Sequence, residues 1–544
     1  MTDPQPSPFT SLLKSNAIPL DDEVSSVKQY IQECQKDTAV LDEALETLQL
    51  KRDALKAKMD QHWGLIHPLR RNPDILREIF VHCLPAEHDS VVSPRELPLL
   101  LTGVCHYWRD LALTTPRLWA SIHIAIPATP RAVDLSGASL EPVSDFRRDA
   151  LLEVITVWLS RSGSCPLSIS IYDPRFGGGA IKESLPFFNA VVLHSSRWRK
   201  LTLNGEGAAL AKFDELEASQ VPLLEEVDLN IYSIGAQLMG LQPGGTISHH
   251  PSWTRFGLLT APTIRKLKLS IKPNEIPLLW TNLFHISIGI ISGAQIDSQD
   301  SLQILRLCPN LTTARFQIQH NTLVHDHPLP FISNRLKQLT LYFFRSEPGA
   351  FIFFNTLRTP ALQSLTVHGY EPSTEIGLEP FLKFVRQVNS VQRLCISARF
   401  ESKQLEAVLC ECPDLTSLKT IGQSPFGMAH QQTSQPIGVM KSTLRALSPR
   451  EPGQDYMCPK LTTLEVDQAN FSLEALVEFV LAKERISMSG DGSKIKYLNI
   501  VYNSQFEDLV VQKLPEALKS GIHSRKIPDR NPYVCRQGLQ MSRY

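Results

Sequence analysis

One short apolar pattern recurs along most of this chain and limits its fold more than any other feature. The pattern is apolar-x-x-apolar-x-apolar, which places alternate side chains on one face of a short β-strand. Eleven segments carry it, beginning at Trp198, Leu224, Ile264, Leu283, Leu311, Leu336, Leu362, Val391, Leu415, Leu461 and Ile495. Three inward side chains cannot stabilise an isolated strand, so many such units must stack.

Prolines and regular spacing make this pattern specific. In six of the eleven segments a proline stands two residues before the first apolar residue, at Pro222, Pro262, Pro309, Pro360, Pro413 and Pro459. A proline at a strand entry ends a preceding helix and costs no ladder hydrogen bond. From Leu283 to Leu415 the segments begin 28, 25, 26, 29 and 24 residues apart, which is leucine-rich-repeat spacing.

These observations predict an α/β fold in which residues 119–505 form an irregular leucine-rich-repeat solenoid with about a dozen parallel strands. WASIHI from Trp119 and PLSISI from Pro166 are interpreted as its first two units. Wider gaps predict insertions near 231–260 and 421–457, either as specificity loops or as spacers without a partner. Residues 506–544 are interpreted as a C-terminal helix and tail.

Residues 21–62 carry a heptad pattern. Its apolar residues alternate at spacings of three and four, with interruptions only at Thr38 and Arg52. The seam consists of Val24, Val27, Ile31, Cys34, Leu41, Leu45, Leu48, Leu55 and Met59. This predicts a coiled-coil helix of about 60 Å, preceded by a disordered segment over residues 1–20.

The partner of this heptad helix stays open among three possibilities. It could lie on its own protein as a single amphipathic helix, pair with a second copy, or pair with a helix of another protein. Asp37 would face Asp42 in a parallel homodimer, and Lys51 would face Lys56. Acidic residues in the first half and lysines in the second half therefore favour an antiparallel partner.

Residues 63–118 contain two helical apolar patterns. In the first, Asn72 can cap the helix and Pro73 takes its first position. Its apolar face comprises Ile75, Leu76, Ile79, Phe80 and Cys83. The second pattern comprises Leu100, Val104, Cys105, Trp108, Leu111 and Ala112. We therefore expect a small helical module before the repeats.

The module resembles the F-box, the helical motif by which substrate receptors dock on the adaptor of cullin-RING ubiquitin ligases. The run V-C-x-x-W-R at 104–109 and P-x-L-W at 116–119 match it, together with the first pattern. The resemblance is closest to the F-box-like proteins of mushroom-forming fungi. It implies that adaptor binding involves Pro73, Ile75, Leu76, Ile79, Phe80, Leu100, Val104, Cys105 and Trp108.

This resemblance implies a substrate-recognition subunit of an SCF-type ubiquitin ligase, in which the repeats hold an unknown protein client. The alternative is a non-catalytic leucine-rich-repeat scaffold, in which the F-box-like helices only cap the solenoid. A cap is physically required in either case, because the open edge of the first repeat must be covered.

Other classes of function lack support in the sequence. Nucleophile-elbow, phosphate-loop, dinucleotide-binding, H-E-x-x-H and C-x-x-C motifs are missing, so we expect no catalytic residue, no metal and no cofactor. The 55 basic and 55 acidic residues balance, which argues against a nucleic-acid partner. Without a secretory signal or a long apolar run, and with scattered cysteines, we expect a cytoplasmic or nuclear protein that does not enter a membrane.

Overall fold

The structure is a computed structural model. It describes residues 7–14, 18–66, 72–127, 145–173, 181–206, 213, 215–232, 256–270, 278–289, 296–319, 329–344, 347–370, 375–388, 390–397, 400–421, 439–448, 456–467, 469, 471–490, 492–502, 518 and 522–524. Most of the predicted insertions and of the C-terminal tail lies outside these residues.

The chain divides into two compact units, residues 1–82 and 83–544, and each is described by itself. The boundary between them falls inside the predicted helical module. The predicted domain limits therefore stay predictions. Among the helices that the structure describes, none is both long enough and apolar enough to cross a lipid bilayer.

The first unit contains the long N-terminal helix that the heptad pattern predicts. After a single turn, α1 (Thr10–Leu13), helix α2 runs over Asp21–Ile66 and helix α3 over Pro73–His82. Three acidic residues in the first turn of α2 favour its N-terminus through the helix dipole. The Glu23 carboxylate also accepts a hydrogen bond from the Leu20 backbone N–H at 2.9 Å, as in a capping box.

The second unit is built on one parallel sheet, which has 14 strands within the described residues. Its strands follow one another across the sheet in chain order. They are β1 (Ser121–Ala125), β2 (Leu167–Tyr172), β3 (Trp198–Glu206), β4 (Glu226–Tyr232), β5 (Lys266–Leu269), β6 (His285–Ile288), β7 (Thr313–Gln319), β9 (Gln338–Phe344), β11 (Ser364–His368), β12 (Arg393–Ser397), β13 (Ser417–Thr420), β14 (Thr463–Asp467), β15 (Tyr497–Tyr502) and β16 (Ile522–Ser524). A separate parallel pair is formed by β8 (Phe331–Ile332) and β10 (Leu357–Arg358).

Within the described residues, helices or short 3-10 turns lie between most successive strands. The helices of this unit are α4 (Leu99–Thr102), α5 (His106–Leu113), α6 (Asp145–Arg161), α7 (Ile181–Val192), α8 (Ser298–Leu307), α9 (Glu347–Thr356), α10 (Glu375–Gln387), α11 (Ser402–Cys410), α12 (Lys441–Ala446) and α13 (Leu473–Ser489). Before β4, β5 and β6 the described residues contain 3-10 turns instead. All six strand-entry prolines lie in the turn before their strand, where a missing N–H costs no ladder bond.

These elements confirm the predicted α/β class, the long N-terminal helix and the parallel sheet. Each of the thirteen segments interpreted as a strand from the sequence contributes to the sheet. In-register pairing aligns the apolar residues of neighbouring strands, as with Leu201 of β3, Val227 of β4 and Leu267 of β5. All three are buried, so one face of the sheet forms a continuous core with the connecting segments.

Chain preceding β1 covers the first edge of the sheet. Val91 forms a parallel bridge to His123, and the Ser90 carbonyl accepts a hydrogen bond from the His123 backbone N–H at 2.7 Å. The buried Asp89 carboxylate accepts hydrogen bonds from the hydroxyls of Ser121 and Ser168. These bonds satisfy backbone and side-chain groups that an open edge would leave unpaired.

The P-x-L-W run completes this edge. Trp119 is buried and packs edge to face on Trp158, with ring centroids 4.9 Å apart. Its indole N–H donates to the Ala112 carbonyl at 2.9 Å, and Leu118 beside it is also buried. The end of the helical segment and the start of the sheet are therefore one packed core.

Two features differ from the sequence interpretation. Strand β16 lies in the region interpreted as a C-terminal helix and tail, and it pairs in parallel with β15. The second helical pattern is also broken, because Cys105 is extended between α4 and α5 and its sulfur accepts the Trp108 backbone N–H at 3.5 Å. A capping interaction of this kind begins a new helix.

Candidate protein-interaction surfaces

The second face of the sheet is lined with polar side chains, because successive residues of a strand point to opposite faces. Register pairing joins one residue from each strand into a row that crosses the sheet. We call this the middle row; from β2 to β15 it consists of Ser170, Thr202, Asp228, Lys268, Ser287, Arg315, Thr340, Thr366, Cys395, Lys419, Glu465 and Asn499.

Lysines on this face have acidic partners on the neighbouring strand. Lys268 of β5 contacts Asp228 of β4 at 2.8 Å, and Lys419 of β13 contacts Glu465 of β14 at 3.0 Å. Burial lowers the pKa of Lys419, but the hydrogen bond to Glu465 and the charge of that carboxylate, with smaller effects of Cys395 and Tyr497, together outweigh burial, and the net effect is a raised pKa. The face is therefore polar without carrying a block of one charge.

An aromatic pair lies on the row one step further along the strands. The Tyr342 and His368 rings stack with centroids 4.3 Å apart and planes 4° from parallel. The Arg315 guanidinium lies 4.9 Å from the Tyr342 ring centroid and donates to its hydroxyl. Burial, reinforced by the charges of Arg315 and Lys419, lowers the pKa of His368 to about 4. His368 is thus a neutral stacking partner at physiological pH.

Several buried atoms on this face have no hydrogen-bond partner. They include the side-chain oxygens of Asn204, Asn230 and Gln317, whose residues are 8%, 5% and 9% exposed. One oxygen of Asp228 and the Ser287 hydroxyl share this property. A buried polar atom without a partner costs about 1 to 3 kcal/mol, so a native fold rarely leaves several on one face. These oxygens are therefore acceptors that the described protein groups leave unused.

The F-box-like residues of the first unit divide into two groups by exposure. Leu76 and Phe80 are buried, whereas Ile75 and Ile79 are exposed. Both exposed side chains lie on α3, four residues apart, so they share one face of that helix. Pro73 takes the first helical position, as the sequence predicts. The sequence pattern grouped all of these residues on one face and did not separate them.

The F-box-like residues of the second unit divide in the same way. Leu100 and Val104 are exposed, and so is Cys105. Trp108 is half-buried on α5, whose residues Leu111 and Ala112 belong to the core. The structure thus leaves in solvent several apolar side chains that the fold does not use.

The heptad seam lies on one face of α2. From Ile31 to Met59 its leucines, isoleucine and methionine are 48% to 67% exposed, and Cys34 is exposed as well. Val24 and Val27 are half-buried, near the point where Phe9 packs against Tyr30 at 5.8 Å between ring centroids. Within the described residues, the seam is therefore an apolar face that is exposed over most of its length.

Two observations on the described residues concern metal-binding side chains and buried thiols. His, Cys, Asp and Glu side chains there nowhere form a group of three that could hold a metal ion. Burial raises the pKa of Cys308, Cys412 and Cys458 to about 12, which keeps these thiols protonated and unreactive.

Comparison of the chain with protein-family models and with curated proteins gives no match. The interpretation of the surfaces therefore depends on their own geometry. The candidate residues expected from the sequence include none on the polar face. The signal was present, because the third and fifth positions of each apolar-x-x-apolar-x-apolar unit alternate with the buried fourth and sixth positions and must face the other way.

Proposed function

We propose that this protein is the substrate-recognition subunit of an SCF-type cullin-RING ubiquitin ligase. Its F-box-like residues dock on the ligase adaptor, and the polar face of its sheet binds a protein client. The protein positions the client for ubiquitin transfer in the cytoplasm or nucleus and catalyses no step itself. We also propose that the sheet and its connections form an irregular leucine-rich-repeat solenoid, which its chain-order parallel strands support.

The observation that carries this proposal is the exposure of apolar side chains at F-box-like positions. Leu100 and Val104 lie in solvent although Leu101 and Leu111, close to them in the chain, are buried. A buried leucine contributes ~1.5 to 3 kcal/mol, so folding alone gives no reason to expose several of them together. Exposed apolar side chains at motif positions are what a docking surface requires.

The polar face supports the client-binding part of the proposal. Its lysines are paired with acids, and its unpaired buried atoms are directional hydrogen-bonding groups such as the amide oxygen of Asn230. Such a face discriminates by hydrogen-bond geometry and rejects a partner that leaves these groups unpaired. A folded protein surface or an extended segment supplies N–H donors of the required kind.

A titration with purified ligase adaptor tests the docking part. Leu100→Asp places a charge in the proposed interface and should raise the dissociation constant at least about tenfold. Leu223→Asp is the matched control, because Leu223 is 45% exposed and Leu100 is 46% exposed. Ile79→Asp makes the corresponding test in the first unit.

Two outcomes would contradict the docking proposal. One is well-folded wild-type protein that does not bind the adaptor at high micromolar concentration. The other is a loss of affinity in Leu223→Asp as large as that in Leu100→Asp. Melting temperatures of all variants should match that of the wild type, since exposed substitutions rarely change stability by more than about 0.5 kcal/mol.

A second candidate function is a non-catalytic scaffold in which the helical segment only caps the sheet. The packing of Trp119 against Trp158 and the bridge from Val91 to His123 favour it, because both cover the first edge of the sheet. Under this alternative the adaptor does not bind, and Leu100→Asp changes neither stability nor any interaction. The same titration therefore separates the two candidates.

A further inference from the structure

We propose that helix α2 pairs with α2 of a second copy as an antiparallel two-stranded coiled coil in one defined register. This inference is independent of adaptor and client binding. It starts from the uncovered seam, where Ile31, Leu41, Leu45, Leu48, Leu55 and Met59 are all exposed. An exposed apolar stripe of this length on a helix of 46 residues is typical of a helix that forms a coiled coil.

The charges beside the seam disfavour the parallel arrangement. Parallel pairing brings Asp37 against Asp42 of the second copy and Lys51 against Lys56, and two-fold symmetry repeats each clash. It also places Arg52 opposite Arg52 inside the seam. Only the pairing of Glu23 with Lys28 is favourable, and exposed pairs of this kind contribute little.

One antiparallel register removes every like-charge contact. In it Ile31 faces Leu48 of the second copy, Thr38 faces Leu41, and Cys34 faces Leu45. The acidic N-terminal turn of each helix then meets the basic C-terminal part of the other. Glu23 lies beside Lys58 of the second copy and Asp21 beside Lys56, each contact occurring twice.

Like-charge contacts also disfavour the two neighbouring registers. Sliding the second helix by one heptad in one direction keeps the apolar seam but places Asp42 against Asp42 and Lys28 against Lys56, and sliding it in the other direction places Asp37 against Asp37. Arg52 is tolerated in the chosen register, because it faces Val27 near the end of the seam, where its guanidinium can reach solvent. Each helix carries acidic residues near its N-terminus and lysines near its C-terminus. Two identical helices related by a two-fold axis therefore match acid with lysine at both ends of the interface.

A single charge reversal distinguishes the orientations by the sign of its effect. In the antiparallel register Lys56→Glu turns an attraction to Asp21 into a repulsion and should raise the dimer dissociation constant on the order of tenfold. In a parallel dimer the same change relieves the clash with Lys51 and tightens the dimer. Lys36→Glu is the matched control, because Lys36 is exposed on the side of α2 away from the seam.

Sedimentation equilibrium of the full-length protein and its two variants measures these constants. A short bis-maleimide followed by peptide mapping adds a geometric test. The antiparallel register separates the two Cys34 residues by roughly 16 Å at 1.5 Å per residue, so the wild type should not link Cys34 to Cys34. Leu45→Cys should link its new thiol to Cys34 of the second copy.

Three results would overturn the proposal. They are a wild-type monomer at high micromolar concentration, tighter association of Lys56→Glu, and Cys34-to-Cys34 linkage in the wild type. Circular dichroism of Lys56→Glu and Lys36→Glu should match that of the wild type, which shows that α2 remains folded. Adaptor and client binding by the same samples reports separately on the proposed function.

Discussion

Replacement of His368 by phenylalanine should make the fold more resistant to acid. His368 is buried on the polar face and stacks on Tyr342, and burial with the charges of Arg315 and Lys419 lowers its pKa from 6.5 to about 4. Between these two pH values the unfolded chain binds a proton that the folded chain excludes. The unfolding free energy of the wild type therefore decreases as the pH falls from 6.5 to 4.

The size of this effect follows from the shift. A pKa difference of one unit corresponds to about 1.4 kcal/mol, so this histidine should cost the folded state about 3 kcal/mol on acidification from pH 7.5 to 4. Phenylalanine keeps an aromatic ring against Tyr342 and has no proton to gain. His368→Phe should therefore retain about 3 kcal/mol that the wild type loses, while all other acid-sensitive groups contribute equally to both proteins.

Urea denaturation at a series of pH values and constant ionic strength measures the difference between the two proteins. The two curves should diverge steadily below pH 6.5. Parallel curves for wild type and His368→Phe down to pH 4 would show that His368 is protonated without penalty, and the buried stacking described above would then be wrong.

Three further predictions concern stability. Asn230→Leu removes a buried oxygen without a hydrogen-bond partner and should raise the unfolding free energy by up to about 1 kcal/mol. A lower unfolding free energy in urea denaturation would mean that the Asn230 amide is hydrogen-bonded in the folded protein. Trp119→Ala should lower the unfolding free energy by about 3 to 5 kcal/mol, because Trp119 is buried, whereas Leu100→Ala should lower it by less than about 0.5 kcal/mol. Equal decreases of the melting temperature would contradict the assignment of Trp119 to the core and Leu100 to the surface. Burial raises the pKa of Cys308 from 9 to about 12, so the stabilising contribution of its thiol is fully present below pH 9 and is lost as the pH rises towards 12. Cys308→Ala should therefore reduce the fall of the urea midpoint between pH 9 and 12. An unchanged slope of the midpoint against pH would refute this prediction.

The strands could be predicted because the physics that forms them is local. A strand such as β12 needs its own alternation of apolar residues and a break before it, and both can be read within about eight residues of sequence. Pro360 and Pro413 mark such breaks, and both lie in turns in the structure. Strand β16 lacks the apolar pattern, so its place beside β15 depends on tertiary pairing that no local rule reports.

The candidate surfaces were harder to predict, because exposure depends on distant parts of the chain. Leu100 and Leu111 are equally good apolar residues in a helical pattern, yet only Leu111 is buried. The unpaired oxygens of Asn204 and Asn230 likewise result from the alignment of β3 with β4. Periodicity identifies which residues can share a face, but it does not decide which face a neighbouring element covers.

The F-box-like segment of the second unit contains buried residues that cap the sheet and exposed residues that the proposed docking would use, and mutation can separate the two. Trp119 and Leu118 stabilise the first edge of the sheet, and their loss would disturb every strand stacked beyond it. Leu100 and Val104 contribute little to that edge, because they remain in solvent. Capping and docking are therefore compatible in one short segment. A variant that loses adaptor binding while keeping its melting temperature would establish the docking role independently of the cap.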